Sequence, residues 1–188
     1  AYDFIECTRS GVRYLRNNYH QAGEVNYTVV TSENVQEVLV ELEKHDKLAV
    51  DAETSGFHAL GMHPNKILEI GIVYDPTHGY IIPVTDTREY TTANQLLPPY
   101  PDLLSLFKPI LETKKIRTWN GFFDARFLKA VGITINHNFD GMLGHYRLDE
   151  RPTSHGLKRV AQLLLGVANW EPNIRRYLKN PETDSYAL

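Results

Sequence analysis

The segment Leu48-Ala-Val-Asp-Ala-Glu53 constrains this chain more than any other. An apolar run passes directly into two acids placed two residues apart. Side chains two apart on a β-strand share a face, so a strand here projects Asp51 and Glu53 together from its end. Like charges held that close repel and raise a carboxyl pKa unless a cation neutralises them. Paired hard oxygen ligands of this kind suit Mg²⁺ or Mn²⁺. The plain alternative is a pair of solvated acids at a strand terminus, and the spacing alone does not separate the two.

The rest of the composition sets bounds on this reading. A chain of 188 residues, 42% apolar and 23% charged, is the size of one large domain and long enough to bury a core. Cys7 is its only cysteine, so no internal disulfide forms, which fits a reducing, intracellular (cytoplasmic) setting. No apolar run approaches the roughly 20 residues of a membrane span, and no signal-peptide pattern opens the chain. The first residue is Ala1 rather than Met, which reads as a fragment or a trimmed chain. A net charge of −3 argues against a module that holds nucleic acid by phosphate contacts alone. It leaves room for an enzyme that gathers carboxylates around metal ions, because bound cations invert the local charge.

No repeat or low-complexity tract divides the chain. Residues 1–26 are mixed in pattern and read as an N-terminal extension without an assigned role; 27–188 read as the domain. Tyr27–Thr31 is strand-like, and Ser32 or Asn34 can cap a helix through Val35, Val38, Leu39 and Leu42. Lys66–Tyr74 reads as a strand joined by the turn Asp75–Gly79 to an antiparallel neighbour at Tyr80–Val84. A Thr- and Pro-rich loop follows, then a helix from Asp102 through Leu103, Leu106, Ile110 and Leu111. The pattern next predicts short strands at Ile116–Trp119 and Ile133–Ile135. Helices are predicted from about Phe123 to a stop at Gly132, over Gly141–Leu148, and over Gly156–Leu165 with Gly166 closing it. Strands first and then alternating helices and strands suggest an α/β mixed sheet with helices on its faces.

A second chemical element is Trp119-Asn120-Gly121-Phe122-Phe123-Asp124. Asn120 and Asp124 lie four apart at a strand-to-helix junction, so they can face one way on the first turn. Asp at a helix start is also a routine cap. Two further segments stand in order behind it: Phe139-Asp140-Gly-Met-Leu143, and His155-Gly-Leu-Lys158 running to Leu165-Gly166. Together with Asp51-Ala-Glu53 these four ordered segments resemble the DEDD superfamily of 3′-5′ exonucleases over roughly residues 27–170. Within that superfamily the chain is most similar to the proofreading domain of DNA polymerase I-like (family A) enzymes.

The resemblance implies an RNase H-like fold, a mixed sheet flanked by helices, and a two-metal phosphodiester hydrolase that uses Mg²⁺ or Mn²⁺. It implies that Asp51, Glu53 and Asp124 bind metal and serve catalysis. Thr54, Phe57, Asn120 and Phe123 match positions that contact the substrate strand, with Phe57 the wedge against the terminal base, and Trp170 supplies another stacking face. Phe123 and Trp170 are equally readable as core residues. The implied partner is the 3′ end of single-stranded DNA, with a polymerase domain in the same parent chain and no membrane. Asp140 resembles an acidic family position that starts a helix, and reads as a cap rather than a ligand. No H-E-x-x-H occurs, and His58 and His63 fall on a loop, so no zinc site is expected. His155 reads as a structural hydrogen-bonding residue.

The family's third motif would add a fourth acid and a Tyr or His that orients water. Asp184 and Tyr186 lie in a loop-like segment and are not nominated. Both functions are therefore expected beyond Leu188, with this stretch holding metal weakly and cleaving poorly. The alternatives are an RNase D-like exoribonuclease with the same chemistry, a silent nucleic-acid-binding domain of the same fold, and an unrelated α/β domain with coincidental motifs.

Overall fold

Strict alternation along Lys47–Thr54 organises the molecule. Leu48, Val50, Ala52 and Thr54 are buried on one face, while Lys47, Ala49, Asp51 and Glu53 stand on the other. The computed structural model describes residues 26–62, 65–84, 103–151 and 155–166. Among them run β1 (Asn26–Val29), α1 (Val35–Glu43), β2 (Lys47–Thr54), β3 (Ile67–Asp75), β4 (His78–Pro83), α2 (Leu104–Thr113), β5 (Lys115–Thr118), α3 (Gly121–Ala130), β6 (His137–Asp140), α4 (Gly141–Leu148) and α5 (Leu157–Leu165). The six strands form one sheet in the order β1-β4-β3-β2-β5-β6. β2, β3 and β4 pair antiparallel, whereas β1–β4, β2–β5 and β5–β6 are parallel. This is the mixed, helix-flanked α/β architecture of an RNase H-like fold.

The register stacks like with like. Val50 faces Ile72 and Ala52 faces Ile70 across β2–β3, and Ile70 in turn faces Ile82 on β4. Against this apolar face pack Val35, Val38 and Leu42 of α1, Phe107, Ile110 and Leu111 of α2, and Phe127 and Leu128 of α3. In α1 and α2 the spacing of three and four residues is the apolar stripe of a helix laid on a sheet. The opposite face carries Asp51, Glu53, Glu69 and Arg117, so burial on one side presents charge on the other.

Most predicted elements stand, with physical reasons where they differ. β2 runs past Asp51 to Thr54 through a register shift at Glu53/Thr54, so both acids lie within its last residues. The strand predicted at Ile133–Ile135 is not one. Both isoleucines are buried in an extended connection, and the pairing with β5 is made by His137–Asp140. Alternating burial, without a neighbouring backbone to pair with, mimicked a strand. Asn34 does sit at the cap of α1, but its side chain accepts from the Thr31 N–H (2.8 Å) and donates to the Val29 carbonyl (3.0 Å) instead. The α2 helix begins after Leu103; Asp102 lies outside the described residues. α4 has the predicted bounds, α5 starts one residue later at Leu157, and Gly166 closes α5 in the left-handed region at φ 70°.

Candidate active site

β5 stops at Thr118 while β2 continues to Thr54, which leaves the far half of one β2 edge without a strand partner. The first turn of α3 fills that place. Asp124, 2% exposed, accepts a hydrogen bond from the Ala52 N–H at 3.0 Å through Oδ1. A buried backbone N–H is thereby satisfied by a side chain instead of a ladder. Ala52 lies between Asp51 and Glu53, so this bond anchors the third acid at the midpoint of the pair.

The electrostatics report the crowding. Burial pushes the Glu53 carboxyl up to about 8, with the charges of Asp51 and Glu69 adding to it and Lys158 opposing them. Burial, then the Asp51 charge, pushes Asp124 to about 7 against the opposing hydrogen bond from Ala52. Asp51 is raised as well, chiefly by desolvation. It presents open surface to solvent, yet it sits low in a hollow where protein atoms displace much of its water. These are carboxylates short of positive charge.

Glu69 joins this set, and the sequence reading passed over it. It faces Glu53 directly in the β2–β3 register, and burial pushes it to about 7. The signal was present: an acid in the middle of Ile67-Leu-Glu-Ile-Gly-Ile72 must point to the face opposite its apolar neighbours. Lys158, on the first turn of α5, is the cation acting on Glu53.

Hard carboxylate oxygens of raised pKa are the donor set that Mg²⁺ or Mn²⁺ takes, and Asp51, Glu53 and Asp124 would hold such ions here. Among the described residues no three His, Cys, Asp or Glu side chains are closed into a ready-made metal cage.

The motif around Asp124 is locked from below. Asn120 adopts the left-handed conformation at φ 63°, ψ 44°, which asparagine tolerates better than most residues. One carboxylate, Asp140, holds two helix starts at once. It accepts from the Asn120 and Gly121 N–H groups of α3 at 3.2 and 2.8 Å, and from Met142 and Leu143 of α4 at 2.9 and 3.2 Å. Burial pushes its pKa up, but these four donors prevail and hold it below the usual range. Asp140 is thus a cap, as its position suggested, and a tie between the two helices. A Cβ on Gly121 would stand 1.9 Å from Thr118 Oγ1, and one on Gly141 would stand 2.4 Å from the Trp119 ring. Asp140→Ala is expected to cost about 1–2 kcal/mol, the upper range for one lost cap, measured as a lower denaturant midpoint at unchanged slope.

The remaining candidates divide. Phe57, 61% exposed, meets the half-buried Phe123 edge-on at 6.4 Å, and Phe123 leans on Phe127 in the core. Asn120 is exposed at the head of α3. Thr54 turns to the buried face, and its hydroxyl donates to the Gly56 carbonyl at 2.7 Å. Its side chain does not face the acids. His155 is engaged by His145 (Nδ1 to Nδ1, 2.7 Å), and its carbonyl accepts from the Trp119 indole. Trp170, Asp184, Tyr186 and His63 lie outside the described residues. Beside Asp51 a cavity of about 420 Å³ runs over Ala49, Gly71 and Val73 between Trp119, Phe139 and Leu157, with Arg117 on its wall. No helix among the described residues is long and apolar enough to cross a membrane.

Comparison with known proteins agrees with this fold. The fold is shared with the catalytic core of RRP6 from Trypanosoma brucei (TM-score 0.59, 18% identity, covering 79% of this chain and 37% of that one). It is shared also with the T. brucei RNase D–GMP complex (0.59, 14%, 78% and 44%) and the Aedes aegypti Nibbler EXO domain (0.54, 15%, 78% and 72%). The chain thus spans less than half the length of the first two. A comparison with curated protein sequences gave no significant match. The family model for 3′-5′ exonuclease matches residues 26–184, and the chain belongs to this DEDD-type 3′-5′ exonuclease family.

Proposed function

We propose that this domain removes nucleoside monophosphates one at a time from DNA 3′ ends, as the proofreading domain of a DNA polymerase. The observation that carries the hydrolytic reading is the convergence on Ala52. Its two neighbours in β2 are acids on one face, and its N–H holds a third acid from α3. In this reading Asp51, Glu53 and Asp124 hold divalent ions; Ala52 fixes where Asp124 stands. Bound ions supply an activated water and neutralise the leaving oxygen. Water adds to phosphorus as the P–O3′ bond breaks, releasing a 5′-monophosphate and a strand one residue shorter.

Phe57, exposed in the loop that follows β2, meets Phe123 of α3 and in this reading offers a ring to the terminal base. Stacking of that kind grips any base, which suits a trimmer without sequence preference. The choice of DNA rests on the resemblance of the four ordered segments to polymerase I-like domains. The test is parallel digestion of 5′-labelled single-stranded DNA and RNA by the full-length protein with Mg²⁺ or Mn²⁺. A ladder shortened from the 3′ end of DNA supports the reading. Shortening of RNA alone replaces it with an exoribonuclease, and no shortening of either strand overturns it.

A further inference from the structure

We propose that Phe122 and Arg126 form a second stacking step for the substrate strand, one nucleotide or more upstream of the scissile bond. The inference rests on the nuclease reading above and extends it beyond the Phe57–Phe123 pair. An α-helix turns about 100° per residue, so the first turn of α3 presents three successive residues in three directions. Asp124 faces β2 and the acids, Phe123 stands aside against Phe57, and Phe122 points outward. A strand with its 3′ end at the acids and its terminal base on Phe57 and Phe123 meets Phe122 next.

Phe122 is prepared for that contact. It is 71% exposed, and the Arg126 guanidinium lies over one face of its ring at 5.1 Å from the centroid. The pair is spaced i, i+4, so both project from one side of the helix. Arg126 stacks on the ring rather than pairing with a carboxylate among the described residues. One ring face is therefore backed by a cation and the other is open. A base on the open face completes a base–Phe–Arg sandwich, and the guanidinium edge is left for a backbone phosphate. A ring kept only for helix stability would support the helix through its i, i+4 partner and would not distinguish strands by length.

The test measures binding of fluorescein-labelled single strands, from one to eight nucleotides, to the full-length protein in Ca²⁺. Phe122→Ala is expected to weaken the longer strands about tenfold, within the range for loss of one base stack, and to leave the mononucleotide unchanged. Phe122→Trp restores the loss. Arg126→Gln weakens the longer strands too and lowers the salt slope by about one phosphate contact. Thymidine 5′-(p-nitrophenyl) phosphate, which has no upstream nucleotide, is hydrolysed at the parent rate by Phe122→Ala. Equal binding by parent and Phe122→Ala at every length overturns the proposal and leaves the nuclease reading intact. Loss of mononucleotide binding along with the rest also overturns it, because the ring would then serve the fold or the acid site. A parent protein that neither binds strands nor hydrolyses the small ester removes the nuclease reading itself.

Discussion

Asp51→Ala in the full-length protein is expected to lower 3′ hydrolysis by about a thousandfold or more. Metal coordination contributes several kcal/mol to stabilising the transition state, and each 1.4 kcal/mol or so is a factor of ten. The loss should fall on kcat, since Phe57 and the helix α3 surface that would bind the strand are untouched. Two features single out Asp51. It lies opposite Gly71, which leaves open space above it, and its charge acts on both Glu53 and Asp124. The substitution also relieves repulsion, so the metal-free protein should melt no lower than the parent. Lost activity with a preserved melting temperature separates a functional acid from a structural one. Parent-level activity in Asp51→Ala would remove it from the mechanism.

The second large effect concerns pH. Glu53, Glu69 and Asp124 have folded pKa values of about 8, 7 and 7 against ordinary values of 4.5, 4.5 and 3.8. All three are raised, so the folded chain binds more protons than the unfolded one between those limits. Their contribution is fully present below about pH 4 and is lost as pH rises through about 7 to 8. The metal-free protein should accordingly lose stability across that window. The lowered acids act elsewhere. Asp75 and Asp149, each held near 2 chiefly by hydrogen bonds from Thr77 and Arg151 respectively, lose their contribution only as pH falls below about 4.

Asp124→Asn keeps an oxygen for the Ala52 N–H and deletes the charge. It should stabilise the metal-free chain near pH 8 by on the order of 1–2 kcal/mol, one unit of pKa being about 1.4 kcal/mol. For a chain of this size that is roughly 2–4 °C per kcal/mol in melting temperature. The same variant should no longer be stabilised by Mn²⁺. A parent whose stability is flat from about pH 5 to 8, or an Asp124→Asn variant that melts lower at pH 8, would contradict the crowded-acid account.

Much of this was legible before the fold was known, for identifiable reasons. Asp51 and Glu53 were readable as a pair because strand periodicity puts them on one face whatever else happens. Gly132 and Gly166 ended helices as expected, since both occupy the left-handed region that glycine tolerates. Asp140 was readable as a cap, but not as a double one. Its second set of donors, Asn120 and Gly121, lies twenty and nineteen residues earlier, and only the β5–β6 pairing brings them together. Asp124 could not be told from a helix cap by spacing. What distinguishes it is the bond to Ala52, 72 residues away in sequence. Glu69 went unread because its role depends on the β2–β3 register, which places it opposite Glu53. Ile133 and Ile135 misled because burial and strand pairing were conflated. The local patterns carried the elements; partners distant in sequence decided which side chains meet.

The most direct measurement of the central claim is calorimetric titration of Mn²⁺ into the protein near pH 7, repeated in buffers of different ionisation enthalpy. If Asp51, Glu53 and Asp124 form the metal site, binding must expel the protons that Glu53 and Asp124 retain at that pH. The account predicts a heat that changes with the buffer, a net release of protons, and loss of the whole signal in Asp51→Ala. Binding that releases no protons, or that persists unchanged in Asp51→Ala and Asp124→Asn, would place the metal elsewhere and contradict it.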